Sequence, residues 1–432
     1  MSARLKPYPS YRDSGVEWLG RIAAHWQVKR LKFAAPACDA KLAEKPHGST
    51  YVGLENIESK TGRLLLDALV EIVDSTVVTF RRGDVLFGKL RPYLAKVARP
   101  NFDGVGTTEL LVLRPLNGLD AQFLTYRLLA PDSIELINSF TYGVKMPRAS
   151  GEQVGNLAIA WPTLAEQQSI ANFLDRETGK IDSLVKKKDR LIELLQEKRT
   201  ALVNHAVTKG LNPNAPMKDS GVEWLGHIPK HWAVSALKRN WEVVDCKHRT
   251  VPFVLEGVPL ASIGEVQSVN LDLSNANRTT HDEYSALIEG GRCPKRGDVI
   301  YSRNATVGAA AYVNTDAEFC MGQDVCLIRS PANDQRFLVY QLRSPVVMQQ
   351  LDSLALGVTF KRINVEQIKD LTLCCPPAYE QKEISAYLDR ETAKLDALMA
   401  KVRTAIERLE EYRTALISAA VTGQIDVRRQ TV

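Results

Sequence analysis

Basic and amide side chains recur at matched places along this chain. Lys89, Arg91 and Tyr93 follow the apolar run Val85-Leu86-Phe87, and Arg303 and Asn304 follow Val299-Ile300-Tyr301. Thr107 and Thr108 lie just before one strand candidate at 110–113, and Gln323 just before its counterpart at 325–328. Lys145 and Arg148 follow Gly143, as Lys361 and Arg362 follow Gly357. Arg, Lys, Asn and Gln hydrogen-bond base edges, and Lys and Arg also neutralise phosphates. Any one of these residues fits a solvated loop end. As a set in register they point to DNA.

Catalytic chemistry is hard to find. Residues 102–106 read F-D-G-V-G, a literal match to the F-x-G-x-G of S-adenosylmethionine sites. A nucleotide-type glycine loop follows an apolar strand and opens a helix. Here Arg99-Pro100-Asn101 precedes it and the strand-like Glu109-Leu110-Leu111-Val112-Leu113 follows. There is no G-x-x-x-x-G-K-[ST], no N-P-P-[YF], no H-E-x-x-H, and no serine or cysteine in a nucleophile motif. The seven cysteines are odd in number and form no C-x-x-C, the usage expected of free thiols in a reducing compartment. No catalytic residue, metal site or cofactor site is expected.

The elements that must position these side chains are duplicated. Residues 13–20 read D-S-G-V-E-W-L-G, and residues 219–226 repeat them 206 positions later. His25-Trp26 recurs as His231-Trp232, and Leu31-Lys32 as Leu237-Lys238. By Arg82-Gly83-Asp84 and Arg296-Gly297-Asp298 the offset has grown to 214, so the second copy holds about eight extra residues in between. In each copy a Gly-Asp turn feeds a short strand. Helical segments at 123–129 and 337–342 precede Pro131 and Pro345, read as stops. A repeat of about 210 residues is a domain duplication, since solenoid repeats run to about 20–50 residues.

Each repeat ends in a long helical pattern. Thr163-x-x-Glu166 fits a capping box, and Asp-Arg-Glu-Thr occurs at 175–178 and 389–392. Apolar residues stand at Ile170, Leu174, Ile181, Leu184, Leu191, Leu195 and Leu202, and the second copy gives Ile384, Leu388, Leu395, Leu398, Val402, Leu409 and Leu416. Those from Ile181 and Leu395 onward form the expected coiled-coil seam. Glu177, Glu391, Lys188 and Lys198 interrupt it. The order body, helix, body, helix lets the two helices pair antiparallel. Residues 182–207 would span about 38 Å at 1.5 Å per residue, close to one turn of B-DNA at about 34–36 Å.

The 432 residues suffice for two domains. Hydrophobic content of 45% and charged content of 25% are those of a soluble protein, and a net charge of +6 permits a polyanionic partner. No apolar run approaches a membrane span, and the N-terminus lacks a signal-peptide core. A soluble cytoplasmic protein is expected.

These features together resemble the specificity subunit of type I restriction-modification systems. The resemblance covers essentially the whole chain. It rests on D-S-G-V-E-W-L-G with His-Trp, on R-G-D-V-L-F-G-K-L-R-P-Y-L at 82–94, and on the Pro-x-x-x-E-Q start of each long helix. It rests also on the helix ends Ala-Val-Thr-Lys-Gly at 206–210 and Ala-Val-Thr-Gly-Gln at 420–424. It implies an α+β architecture: two tandem mixed α/β target recognition domains joined by two long antiparallel coiled-coil helices, with an internal pseudo-two-fold. The expected division is recognition domain 1 at 1–160, a spacer helix region at 161–212, recognition domain 2 at 213–375 and a second spacer region at 376–432.

The implied partners are double-stranded DNA, two methyltransferase subunits that carry S-adenosylmethionine, and restriction subunits in the full complex. The second copy loses K-L-R-P-Y at residues 302–305 (S-R-N-A), which fits a different half-site. Two other classes remain open on the residues alone. A stand-alone methyltransferase or nuclease would modify DNA without partners. A non-DNA coiled-coil scaffold would ignore DNA sequence.

Overall fold

The computed structural model describes residues 6–65, 75–143, 145–354 and 362–428. The chain divides into two compact units, Met1–Asp189 with Arg403–Val432, and Arg190–Val402. Each unit holds one mixed body, the start of the long helix that leaves it, and the end of the other long helix.

In the first unit a hairpin pairs Tyr11–Asp13 with Arg21–Ala23, and Gln27–Arg30 pairs with Ala158–Trp161. The central antiparallel sheet runs in the order Ala37–Cys38, Leu110–Leu113, Val85–Gly88, Val97–Ala98. Its two middle strands are buried on both faces, as their unbroken apolar runs require. Alternate residues divide between two cores. Val85, Phe87, Leu111 and Leu113 face one, and Leu86, Leu110 and Val112 face the other. The second unit repeats this with Glu242–Asp245, Val325–Arg329, Val299–Ser302 and Ala310–Tyr312. Its extra length includes helix His281–Ile288, and the described residues of the first unit hold no helix there.

Helices Ala121–Leu129 and Gln335–Leu342 start on capping carboxylates, Asp120 and Asp334. Pro131 and Pro345 do more than stop them. Each begins a second helix, Pro131–Ser139 and Pro345–Leu354. A proline at the first helical position loses no hydrogen bond.

The long helices are Leu164–Lys209 and Ala378–Val421. Glu166 N reaches Thr163 Oγ1 at 3.4 Å, so half of the capping box forms. The Glu166 carboxylate is occupied elsewhere. It accepts from Tyr8 Oη at 2.8 Å and Trp26 Nε1 at 3.2 Å and lies 2.9 Å from His25 Nε2. Glu380 does the same with Trp232 Nε1 at 2.5 Å and His231 Nε2 at 3.1 Å. Gln167 and Gln381 each donate to the carbonyl of the preceding proline, Pro162 or Pro376, and accept from the backbone of Asp120 or Asp334. The helices end at Gly210 and Gly423, both at φ +75°, where a Cβ would stand 3.2 and 3.1 Å from the Trp232 and Trp26 rings. Each His-Trp pair is thus the socket for one helix start and one helix end.

The seam differs from the one read in the sequence. Leu184, Leu191 and Leu398 are exposed. The inward series is Ile181, Val185, Lys188, Ile192, Leu195, Arg199, Leu202, Ala206, and 214 positions later Leu395, Met399, Val402, Ile406, Leu409, Arg413, Leu416, Ala420. Steps of four and three keep one face turned inward. The leucines at 184 and 191 are one position off this face, and Lys188 and Arg199 are on it. Within the first unit Asp182 meets Arg413 at 3.0 Å, and within the second Asp396 meets Arg199 at 3.1 Å. The two pairs are copies of one another, 214 positions apart at each member.

Candidate nucleic-acid interface

One end of the central sheet gathers the candidate DNA residues in each unit. In the first, strand Val85–Gly88 runs out into Lys89, whose N–H donates to Glu109 O at 2.9 Å. Arg91 N donates to Pro147 O at 2.7 Å, and Leu90 bridges Arg148. Residues 89–93, 107–109 and 145–148 therefore meet, although they are up to about 60 positions apart. Arg91 sits at φ +50° and is exposed, with Tyr93 beside it and Lys145 at the loop tip. Arg148 Nη2 lies 2.5 Å from Glu109 Oε1. Lys89 is half-buried, and burial, then the Arg148 charge, lowers its pKa. Thr107 and Thr108 are partly exposed on the same edge.

The second unit repeats the backbone with other side chains. Arg303 N donates to Asp324 O at 2.8 Å, and Asn304 bridges Arg362. Ala305, at φ +55°, takes the left-handed place of Arg91. Asn304 Nδ2 donates to Asp324 Oδ1 at 3.3 Å. Gln323 and Arg362 are exposed, and Lys361 lies outside the described residues. Arg303 differs from the reading as a surface contact. It is only 4% exposed, with Nη1 3.2 Å from Asp245 Oδ1 and Nη2 3.2 Å from Gln323 O.

Further residues reach this edge. Asp39 and Lys41, after strand Ala37–Cys38, act on the charge of Lys89. In the second unit Asp245, Cys246, His248 and Thr250 stand at the same place. The charged run Lys247-His248-Arg249 was the available sequence signal. Asp245, Cys246 and His248 also bring possible metal ligands within 4.8 Å of one another. Arg303 already supplies a cation there, and burial pushes the Cys246 thiol up to about 11. The set reads as a hydrogen-bonded cluster.

The F-x-G-x-G glycines have a packing role. Gly104 and Gly106 lie in strand Gly104–Thr107, where a Cβ would stand 2.7 Å from Thr50 O and the Phe80 ring, or 2.8 Å from Val52 O. Cys320 and Cys374 are buried, which pushes both thiols up to about 12. Among the described residues, no helix is long and apolar enough to cross a membrane.

The sequence matches the type I restriction modification DNA specificity domain over residues 77–194 and 256–408, more than half of the chain. The putative type I restriction enzyme MjaX specificity subunit of Methanocaldococcus jannaschii is 25% identical over 435 residues, covering 95% of this chain and 96% of that protein. A chain from a structure describing complex assembly and conformational transition of the type I R-M system superposes with TM-score 0.72 at 17% identity. It covers 94% of this chain and 99% of its own length. The crystal structure of the HsdS subunit from Thermoanaerobacter tengcongensis gives TM-score 0.53 at 18% identity, over 94% and 98% of the two chains. With two sheet edges that share a backbone and differ in side chains, the chain belongs to the type I restriction-modification specificity family and is the DNA-recognition, non-catalytic subunit of such a system.

Proposed function

We propose that each unit reads one half of a bipartite, asymmetric double-stranded DNA site. The observation that carries this is the matched edge, with the same left-handed turn at Arg91 and Ala305 and different side chains around it. A kept backbone presents a reading edge to the same kind of ligand, and changed side chains select another sequence. In the first unit Arg91, Tyr93, Thr107, Thr108 and Lys145 face DNA, with Lys89 and Arg148 behind them. In the second Asn304, Gln323 and Arg362 do so.

Two methyltransferase subunits dock on what the copies share outwardly. Arg176 and Glu177 are ion-paired, Glu177 also pairs with Lys180, and Arg390, Glu391 and Lys394 repeat the set. Exposed Leu184 and Leu398 lie one turn further on. Two equal stripes suit two copies of one partner. S-adenosylmethionine belongs to those methyltransferases, restriction subunits complete the complex, and the assembly works in the cytoplasm. The paired helices set the spacer. Seven residues inserted at equivalent points of both keep the seam register and add about 10.5 Å, so the spacer should grow by about three base pairs at 3.4 Å each. Methylome sequencing with and without the chain tests the reading. A split motif that vanishes with the chain is expected, and methylation that persists without it would overturn the reading.

A further inference from the structure

Gln323 is an exposed edge side chain held from several sides. Its carbonyl accepts from Cys246 Sγ at 2.9 Å and from Arg303 Nη2 at 3.2 Å. Its neighbours are fixed as well. Gly322 N donates to Ala261 O at 2.8 Å, and Asp324 O accepts from Arg303 N at 2.8 Å. Gly322 has no room for a side chain, since a Cβ there would stand 2.5 Å from Ser262 Oγ. The Gln323 carboxamide is itself oriented, with Nε2 donating to Thr250 Oγ1 at 2.7 Å. Among the described residues the other Nε2 hydrogen and Oε1 have no partner, a donor and an acceptor side by side. Adenine offers the complement in the major groove, the N7 acceptor beside the N6 amino donor. A contact fixed before binding loses little conformational freedom on binding.

Resting on the DNA-reading function proposed above, we infer that Gln323 reads one adenine of the second half-site and that Arg303 is its positioning residue. Arg303 is buried and cannot reach a base itself. Its guanidinium ties Asp245, at the end of strand Glu242–Asp245, to the Gln323 carbonyl, so that the peptide carrying the reading side chain stays in place. The first unit has Thr108 and Lys89 at these places, so its half-site is read by other groups.

The test uses the full chain with its methyltransferase. Methylomes of cells carrying Q323A should show one adenine of one half-site relaxed to any base, with the other half-site unchanged. T250V and R303L should relax the same position. A duplex with 7-deazaadenine at that position, which removes N7, should bind the wild-type complex about ten-fold more weakly and the Q323A complex no more weakly than the unmodified duplex. An unchanged motif in Q323A, or equal loss with 7-deazaadenine in both proteins, would overturn the inference while leaving the function standing. Relaxation by R303L at both half-sites would overturn the positioning role. Absence of any split motif in the wild type would sink the function itself.

Discussion

The sockets of the long helices and the reading edges of the sheets stand in contrast. At the sockets the two units share their His, Trp, Asp and Thr contacts. Glu166 and Glu380 hold the two Trp-His pairs, and Tyr126 and Tyr340 bond Asp175 with Thr178 and Asp389 with Thr392. At the edges only the backbone agrees. Faithful duplication suggests a surface kept for shared partners, yet the duplicated Trp26 and Trp232, Gln167 and Gln381, and Ala206-Val207 and Ala420-Val421 are buried in the chain's own core. In D-R-E-T the Asp and Thr bond the tyrosine, and the Arg and Glu pair with each other at the surface. Duplicated sequence here marks first how helix and body are joined, and only second what a partner can touch.

The sockets are alike but unequal in strength, and that inequality can be broken by substitution. Glu166 serves Tyr8, Trp26 and His25 and is nearly buried, whereas Glu380 serves two groups and is more open. Glu166→Ala leaves buried donors unpaired and should cost about 4 kcal/mol, against about 2 kcal/mol for Glu380→Ala. Urea unfolding of the two variants measures the difference, and equal losses would contradict it.

The pair of copied ion pairs gives a smaller contrast. Arg413 has a side chain only 9% exposed and also donates to Lys60 O and Thr61 O at 3.0 Å each. Arg199 is 31% exposed and has only Asp396 as an ion-pair partner among the described residues. Arg413→Met should destabilise by about 2–3 kcal/mol and Arg199→Met by less than about 1 kcal/mol, read as shifts in melting temperature. A reversed order would mean that the loop at 58–63 is not anchored by Arg413.

The smallest effect belongs to a single phosphate contact. Lys145→Ala should weaken binding to matched and unmatched DNA alike and reduce the salt slope by about one. A change confined to one base position would instead make Lys145 a reading residue.

Much of this organisation was legible in the sequence, because duplication and apolar strand runs are local patterns. The strands after Asp84 and Asp298, the pairing of the helices and the clustering of basic residues all followed from them. The seam register did not. Leucine outranks lysine and arginine as a core residue in any sequence reading, so Leu184 and Leu191 displaced Lys188 and Arg199. The long stems of Lys and Arg pack inside such a seam while their charged ends reach a partner. Burial of Arg303 was equally hidden, since it depends on Asp245 some 58 positions away. The Glu of Pro-x-x-x-E-Q looked like half of a capping box, and only the fold brings His-Trp to it from about 140 positions upstream.

The claim that each unit reads its own half-site is tested most directly by grafting. Methylomes would be mapped in cells carrying the chain with residues 303–305 and 323–324 replaced by the first unit's 89–91 and 108–109, Gly322 being kept because a Cβ there would stand 2.5 Å from Ser262 Oγ. The expected result is a split motif with one half unchanged and the other altered or lost. A motif changed in both halves, or unchanged in both, would contradict it.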